Sequence, residues 1–356
     1  MFKDSAIVVA GLDLGDKYSY VCVLDPIAGE VNEETRISTT ASGISNYFGS
    51  RKPMRVALEV GTQSAWVSRA IEACGHQVLV ANARQLRLIY AGKRKNDRVD
   101  AEKLARLARY DEKLLAPITH RGEQAQADLA NIRSRETLVQ TRTALVNHVR
   151  STVKGFGTRL PKCTTAVFHK RASEHLPAAL RPALEPILDL IAQLNERIKQ
   201  FDKRVLELNE GKYLETGVLR QVHGVGPLTA LTFVLTIEDP KRFLKSREVG
   251  PYLGLTPGEK QSGDSNPQQR ITKAGDVHLR KLLVQCAHYI LGPFGSDSDL
   301  RRHGEKLAAR GGSAAKKKAI TAVARKLAVV LHHLWATGEV YVPLHNSKQS
   351  GIPQAA

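Results

Sequence analysis

Two aspartates, Asp97 and Asp100, stand three residues apart at the predicted start of a helix, with Asp97 as its N-cap. At that spacing two side chains lie on one helix face, with Cβ atoms about 5–6 Å apart. Carboxylates so close repel each other unless a cation or a proton lies between them. Between positions 84 and 109, nine Lys/Arg stand against three Asp/Glu. This pattern suits a metal ion facing a phosphate, and the alternative is a solvated helix start whose acids favour the helix dipole. Candidates for phosphate contacts in this stretch are Lys93, Arg94 and Lys95.

Two further acids stand at the ends of predicted strands. Asp13 ends a nearly continuous apolar run, which is typical of a central strand buried on both faces. Glu59 ends another short apolar strand. The alternatives are a turn residue for Asp13 and a loop residue for Glu59. The predicted order is strands at 7–13, 18–24 and 31–38, a helix at 41–48, a strand at 55–59, a helix at 66–74, a strand at 77–80, and then the helix that carries Asp97 and Asp100.

This order of elements resembles a ribonuclease-H-type fold of the RuvC-like kind. The resemblance implies that acids at two strand ends and on a late helix converge on metal ions. Phosphoryl transfer passes through a highly charged transition state, which paired Mg²⁺ ions clamp from both sides. Hard oxygen ligands favour Mg²⁺, with Mn²⁺ as the alternative, and the motif contains no histidine or cysteine. We therefore predict Asp13, Glu59, Asp97 and Asp100 as a metal-binding catalytic quartet.

The charge of the whole chain indicates a polyanionic partner. Its 356 residues carry 53 Lys+Arg against 35 Asp+Glu, a formal net charge of +18, which favours nucleic acid. We find no apolar run of membrane-spanning length, no amphipathic membrane helix and no leader peptide. The four cysteines are far apart and lack zinc-type spacing, so we predict buried thiols in a reducing cytosol.

Residues 119–210 are predicted to form a helical connector. Its cleanest pattern is a heptad seam, in which apolar residues alternate spacings of four and three. An intramolecular helical hairpin and a dimeric coiled coil both satisfy this periodicity. The sharper prediction is a homo-oligomer, a dimer or tetramer, assembled through the coiled coil. The seam consists of Ile187, Ile191, Leu194, Ile198, Phe201, Val205 and Leu208.

Residues 211–345 open on a glycine hairpin between two predicted helices. Gly224 and Gly226 let the backbone approach a phosphate, and Pro227 occupies a position favoured early in a helix. The N-terminus of the second helix offers free N–H groups and the positive end of its dipole. The pattern resembles a helix-hairpin-helix DNA-binding motif, and the alternative is a simple glycine-linked helix pair.

A serine in a later glycine-containing loop has several cations near it in sequence. Ser262 stands between Gln261 and Gly263, and a serine beside a glycine usually marks only a turn. Here the nearby cations offer neutralisation of a phosphate. The residues assigned to that role are Lys260, Arg270, Lys273 and Arg280.

The C-terminal part of the chain is also basic. From position 260 to 326, fourteen Lys/Arg stand against five Asp/Glu. Lys316, Lys317 and Lys318 open a long predicted helix with an apolar face, and we assign them to phosphate contact or to solvent rather than to catalysis. Residues 346–356 are polar, contain glycine and proline, and are predicted to be a disordered tail.

Together these features resemble the DEDD-type insertion-sequence transposases, also called bridge recombinases, over about residues 5–340. The motifs that carry the resemblance are KNDRVDA at 95–101, QSG at 261–263 and ITKAG at 271–275. It implies an α/β plus all-α chain: a RuvC-like domain at 1–118, a coiled-coil connector at 119–210 and a mainly helical transposase domain at 211–345.

The same resemblance implies the chemistry and the partners. Ser262 matches the nucleophile of the family, and Ser265, three residues on, is the alternative. The implied substrates are target and donor DNA, paired by a noncoding RNA that the element encodes. The implied location is the cytoplasm of a prokaryote, in association with the nucleoid.

Three functions follow. The leading one is an RNA-guided DNA recombinase, in which Ser262 attacks a DNA phosphate and both domains build one composite site with Mg²⁺. The second is a metal-dependent, junction-resolvase-like nuclease, in which water attacks and Ser262 only contacts phosphate; a covalent protein–DNA adduct separates these two. The third is a non-catalytic binding module that relies on its basic surface.

Overall fold

The computed structural model describes residues 7–86, 96–263, 265, 267 and 269–346. The chain divides into two compact units, Met1–Arg121 and Gly122–Ala356. Most of the predicted connector therefore lies in the same unit as the predicted C-terminal domain. The predicted disordered tail falls almost wholly outside the described residues.

The first unit is built around a five-stranded mixed sheet in the order β3-β2-β1-β4-β5. Strands β1, β2 and β3 pair antiparallel, while β4 lies parallel to β1 and to β5. The elements are β1 (Val9–Asp13), β2 (Tyr18–Leu24), β3 (Val31–Ser38), α1 (Ala41–Phe48), β4 (Arg55–Glu59), α2 (Ser64–Ala73), β5 (Gln77–Ala81), α3 (Ala83–Leu86) and α4 (Asp97–Tyr110).

Apolar side chains cover both faces of this sheet. Leu12, Val56 and Leu58 form one core with α1 and α2. Alternate strand positions such as Val9 and Ala57 form the other core with α4. Because successive strand residues point to opposite faces, a strand buried on both faces must be apolar throughout. The predicted order of strands and helices is confirmed except for the short α3, which was not predicted, and β2, β3 and β4 have the predicted bounds.

One local prediction is wrong: the N-cap of α4 is Asn96 rather than Asp97. The Asn96 side chain accepts a hydrogen bond from the Arg98 backbone N–H at 3.1 Å. Asp97 is therefore the first helical residue, and both aspartates lie in the first turn. Cysteine burial is also only partly as predicted, because Cys22 and Cys286 are buried whereas Cys74 and Cys163 are partly exposed. Burial raises the pKa of the Cys22 thiol to about 11.

The second unit begins with three helices, α5 (Glu123–Gly155), α6 (Phe168–Ser173) and α7 (Arg181–Gly211). The first turns of α5 pack with the end of α7, as in the cluster of Leu129 with Leu208. The end of α5 packs with the start of α7, as in the cluster of Val149 with Leu184. The two long helices therefore run antiparallel as a hairpin within one chain.

Most of the heptad seam of α7 is covered by the chain itself. Ile191 is fully buried, and Leu194, Ile198, Val205 and Leu208 are between 3% and 8% exposed. The structure thus shows an intramolecular hairpin over these five residues, whereas Ile187 and Phe201 are partly exposed, and self-association through α7 stays a prediction. Periodicity reports which face of a helix is apolar, whereas the identity of the covering helix depends on the tertiary fold.

The remaining helices form one compact core. They are α8 (Thr216–Leu219), α9 (Pro227–Ile237), α10 (Val249–Tyr252), α11 (Val277–Leu291), α12 (Asp299–Ala308) and α13 (Gly312–Thr337). Helix α9 is buried from Thr229 to Ile237 and packs against α11 and α13. The predicted last helix is confirmed, although it begins at Gly312, four residues before Lys316. Among the described residues, no helix is both long and apolar enough to cross a membrane.

Candidate active site

Gly11 allows α4 to pack directly against β1. A Cβ atom at Gly11 would lie 1.9 Å from the carbonyl oxygen of Ala101 and 2.6 Å from the amide nitrogen of Ala105. The helix backbone therefore rests directly on the strand, and only glycine allows this contact. Val9, earlier on β1, lies in the same cluster as Leu104 and Ala108, which are later on α4. Helix and strand thus run in opposite directions, and the start of α4 lies toward the end of β1.

The packing of α4 on β1 brings the predicted acids to one end of the sheet. Gly11 pairs with Ala57, and Leu12 pairs with Leu58, on the parallel neighbours β1 and β4. Asp13 and Glu59 are therefore the next residues on strands about 4.8 Å apart. Both lie on the face that α4 covers, because each is two residues beyond a residue on that face.

The four carboxylates differ in exposure. Asp13, Glu59 and Asp100 are partly buried, and Asp97 is exposed. Lys103 Nζ forms an ion pair with Asp100 Oδ1 at 3.5 Å, and Arg98 forms an ion pair with Glu34. Among the residues that the structure describes, no three His, Cys, Asp or Glu side chains lie close enough together to hold one metal ion. The fold thus places the acids at one end of the sheet without gathering them around one point. Lys93, Arg94 and Lys95 lie outside the described residues.

In the second unit, Ser262 lies at the tip of a two-armed loop, residues 254–275, which we call the serine hairpin. Its arms pair at several levels: Lys273 N–H donates to Gly254 O at 3.1 Å, and Gly258 N–H donates to Arg270 O at 2.9 Å. At the tip, Ser262 and Ser265 exchange two backbone hydrogen bonds of 3.0 Å. Gly263 follows with a φ of +52°, which glycine adopts at little cost.

Two glycines permit the arms of the serine hairpin to meet at its base. A Cβ atom at Gly254 would lie 2.2 Å from the amide nitrogen of Ala274, and one at Gly275 would lie 2.1 Å from the carbonyl oxygen of Tyr252. Both glycines also have positive φ. The base of the hairpin is therefore a close backbone crossing, and both Ser262 and Ser265 are exposed beyond it.

Arg280 differs from the other cations assigned to phosphate binding. Its side chain is buried, with the residue 8% exposed. Its Nη1 donates to the carbonyl oxygen of Leu253 at 2.9 Å and to that of Ala274 at 2.6 Å. Arg280 thus stabilises the base of the serine hairpin through two backbone carbonyl groups. Because the side chain is buried, it is not placed for the direct phosphate contact that the sequence predicts.

The other predicted cations of this region are on the surface. Lys260, Arg270 and Lys273 are exposed on the serine hairpin, and Lys273 has a positive φ of +55°. The three lysines at 316–318 are exposed on the second turn of α13. Exposed positions of this kind are accessible to a polyanion.

The predicted helix-hairpin-helix is present only in part. The first helix, α8, is a single turn that ends at Leu219, and a turn leads to Gly224 at φ +95°. A Cβ atom at Gly224 would meet the Tyr289 ring at 2.9 Å. Gly226 is the exposed N-cap of α9, and Pro227 is its first residue, as predicted. The geometry fits a glycine turn that leads into a buried helix.

A large open groove borders the serine hairpin within the second unit. Its volume is about 1580 Å³, and its walls come from the hairpin, α12, α13 and the segment after α13. We call it the basic groove because seven Lys/Arg line it, against Asp299 and Glu339. Sequence reasoning found only the local excess of charge and did not assign Arg310, Arg325 or Lys326. The lining cations are Arg270, Lys273, Arg310, Lys317, Lys318, Arg325 and Lys326.

Family models match both units of the chain. Residues 10–157 match a model of the DEDD kind found in IS110 elements, described as "Transposase". Residues 217–299 match the model described as "Transposase IS116/IS110/IS902 family". The first match contains all four acids, and the second contains Ser262 with the cations of its hairpin.

Similar proteins carry transposase names. A "Probable family 20 transposase" of Pseudomonas aeruginosa is 28% identical over 72% of this chain and 77% of its own length. The "Transposase for insertion sequence element IS1328" of Yersinia enterocolitica is 28% identical over 79% of this chain and 83% of its own. The "Transposase for insertion sequence element IS1111A" of Coxiella burnetii is 32% identical over 57% of this chain and 56% of its own.

Proposed function

Because the chain belongs to the IS116/IS110/IS902 family of transposases, we propose that it cuts and rejoins DNA strands through a phosphoserine intermediate. The observation that carries this proposal is the serine hairpin. It presents Ser262 at an exposed tip, on a base fixed by a glycine crossing and by Arg280. A nucleophile on such a support is both accessible and positioned, which is what attack on a large substrate requires.

The proposed chemistry is two successive exchanges at phosphorus. Ser262 Oγ attacks a DNA phosphorus atom, the P–O bond to one deoxyribose oxygen breaks, and that oxygen takes up a proton. The serine proton passes to a base, because a serine hydroxyl is a weak nucleophile at neutral pH. A deoxyribose hydroxyl of another strand then attacks the same phosphorus and releases Ser262. Lys260, Arg270 and Lys273 are exposed on the same hairpin, and we propose that they bind the flanking phosphates.

We propose that Asp13, Glu59, Asp97 and Asp100, on a RuvC-like fold, serve the same strand cleavage and bind Mg²⁺, with Mn²⁺ as a substitute. The donor set fits, because all four ligands are carboxylate oxygens. The spacing does not yet fit, since no three of these side chains surround one point among the described residues. Binding of the ion would therefore require the four carboxylate side chains to move closer together. When bound, the ion would supply charge stabilisation at the reacting phosphate. Calorimetric titration with Mg²⁺ and Mn²⁺ tests binding without an activity assay.

We also propose a noncoding RNA of the element as the guide that pairs with target and donor DNA. Two facts support it: the resemblance to bridge recombinases and the net charge of +18. Purification of the protein from cells that carry the whole element, followed by sequencing of the bound RNA, tests this partner. Recovery of only fragments of abundant cellular RNA would reject it.

The test of the phosphoserine is a denaturing gel of the reaction on labelled DNA. We expect a covalent adduct with the wild-type protein, none with Ser262→Ala, and a nearly normal amount with Ser265→Ala. An adduct that survives in Ser262→Ala and disappears in Ser265→Ala would assign the nucleophile to Ser265. Efficient cleavage by the wild-type protein without any adduct would favour the metal-dependent nuclease, in which water attacks.

A further inference from the structure

We propose that the basic groove binds a single strand of DNA and leads it to the serine hairpin. The inference deepens the proposed function and rests on it for the choice of DNA as the strand. The hairpin is part of both features, because Arg270 and Lys273 line the groove while Ser262 lies at the tip of the same loop.

The charge of the groove fits a phosphate backbone. All seven Lys/Arg that line it are exposed. The two acids of the lining are outnumbered: Asp299 accepts from the backbone N–H and side-chain amide of Asn346, at 2.8 and 3.1 Å, and Glu339 lies 3.1 Å from His333 Nε2. The lining therefore carries a net positive charge, and a polymer with one negative charge per nucleotide matches it.

The apolar part of the groove lining fits unpaired bases rather than a closed duplex. Leu307, Val329 and Val330 belong to this lining and are partly buried, whereas its cations are exposed. The lining also includes the flat side chains of His333, His345 and Tyr341. In a duplex the phosphates face outward and the base faces are stacked on each other. The base faces of a duplex therefore cannot contact the apolar side chains of the groove. A single strand places its phosphates on the cations and its base faces on apolar and flat side chains.

The groove also lies close enough to Ser262 for one bound strand to reach both. Gly258 and Arg270 face each other across the serine hairpin at the edge of the groove, and Ser262 is four residues farther along one arm. A chain spans at most about 3.6 Å per residue, so Ser262 lies within roughly 14 Å of that pair. A strand that leaves the groove along the hairpin reaches Ser262 within a few nucleotides.

The experiment uses the full chain with Ser262→Ala, so that cleavage does not disturb binding. The test variant adds Arg310→Glu, Lys317→Glu and Lys326→Glu, which are exposed lining residues. The matched control adds Arg197→Glu, Lys199→Glu and Lys203→Glu, exposed on α7 and equal in charge change. Fluorescence anisotropy measures affinity for one labelled sequence as single-stranded DNA, as duplex DNA and as single-stranded RNA, over a range of salt.

We expect the test variant to lose affinity for single-stranded DNA, with a log–log salt slope shallower by about 2, since each lost phosphate contact contributes roughly 0.7. The control should keep its slope. Equal losses in both variants would overturn the proposal in favour of non-specific attraction. A loss confined to duplex DNA, or one confined to RNA, would also overturn it.

Two further measurements keep the result interpretable. Thermal unfolding confirms that each variant folds, and the milder Arg310→Gln, Lys317→Gln, Lys326→Gln variant should also reduce the slope. An unchanged slope in this folded variant would reject the groove. These binding outcomes do not depend on the covalent adduct, so a failure of the phosphoserine proposal remains distinguishable from a failure of the groove.

Discussion

Arg280 Nη1 lies 2.6 Å from the carbonyl oxygen of Ala274, which is the last residue of the serine hairpin before Gly275. The same nitrogen bonds Leu253 O, on the other side of the backbone crossing. One buried guanidinium thus joins the two ends of the loop that carries Ser262. Its removal would leave two carbonyl groups without this donor, at a cost of about 1–3 kcal/mol each where they stay buried.

We therefore predict that Arg280→Ala slows adduct formation roughly 100-fold, since a displacement of about 1 Å at a reacting atom has that effect. Affinity for DNA and its salt slope should change little. Arg280→Lys should restore part of the rate, because one ammonium reaches one carbonyl. Single-turnover kinetics with saturating DNA measure the rate, and Lys281→Gln on the same helix is the control. A salt slope lower by about 0.9 with an unchanged rate would instead make Arg280 a phosphate ligand.

Asp97→Asn and Asp100→Asn should each abolish strand cleavage and leave nucleic-acid binding intact. Neutral amides bind Mg²⁺ far less well than carboxylates, and loss of negative charge near phosphate does not weaken DNA binding. The measurements are cleavage of labelled DNA in Mg²⁺ and calorimetric titration of the ion. Glu102→Gln, later on α4, is the matched control. Full activity of either aspartate variant would remove that residue from the site.

The hairpin of α5 and α7 offers a direct comparison between neighbouring positions. Ile191 is fully buried and Leu190 is 43% exposed. We expect Ile191→Ala to lower the free energy of unfolding by about 2–5 kcal/mol, as core truncations do, and Leu190→Ala to lower it by less than about 1 kcal/mol. Urea denaturation measures both. If instead the Ile191 variant kept its stability and halved its mass in light scattering, the seam would be an interface between subunits.

Acid stability should depend on Asp128, which accepts from Lys212 Nζ at 2.5 Å and Tyr213 Oη at 2.7 Å. Burial acts to raise the pKa of this carboxyl, but the hydrogen bonds from Lys212, Tyr213 and Gln124 outweigh it and lower the pKa below its ordinary value of 3.8. A lowered pKa means that the stabilisation is present above pH 3.8 and is lost as pH falls through the folded-state pKa. Asp128→Asn should flatten the acid limb of the stability–pH curve. A curve that keeps its wild-type shape would contradict this.

The sequence predicts those features that depend on local pattern. Strand ends at Asp13 and Glu59 follow from short apolar runs closed by turn residues, so the order of elements in the first unit is correct. The choice of Asn96 over Asp97 as the N-cap cannot be predicted, because asparagine and aspartate both cap helices and nothing in the local sequence distinguishes them.

Features that depend on distant segments could not be predicted in this way. The burial of Arg280 depends on the tertiary contact that brings Leu253 close to Ala274. The burial of Ile191 depends on packing against α5, a helix that begins at Glu123. The basic groove needs four segments between Leu255 and Asn346 to come together. Charge counts indicate that this region is basic, but neither the walls of the groove nor its apolar lining residues can be identified in a linear sequence.

The contact between Gly11 and the backbone of α4 restricts helix sliding. The two α4 residues that touch Gly11 are Ala101 and Ala105, one turn apart. A slip of one turn along β1 in either direction would bring Asp97 or Arg109 into this buried contact, and burial of an unpaired charge costs several kcal/mol. Helix α4 therefore has a single register on the sheet. The position of Asp97 and Asp100 along the direction of β1 is then determined by an uncharged contact outside the acid site. A larger side chain at Ala101 or Ala105 would therefore shift both aspartates without replacing either of them.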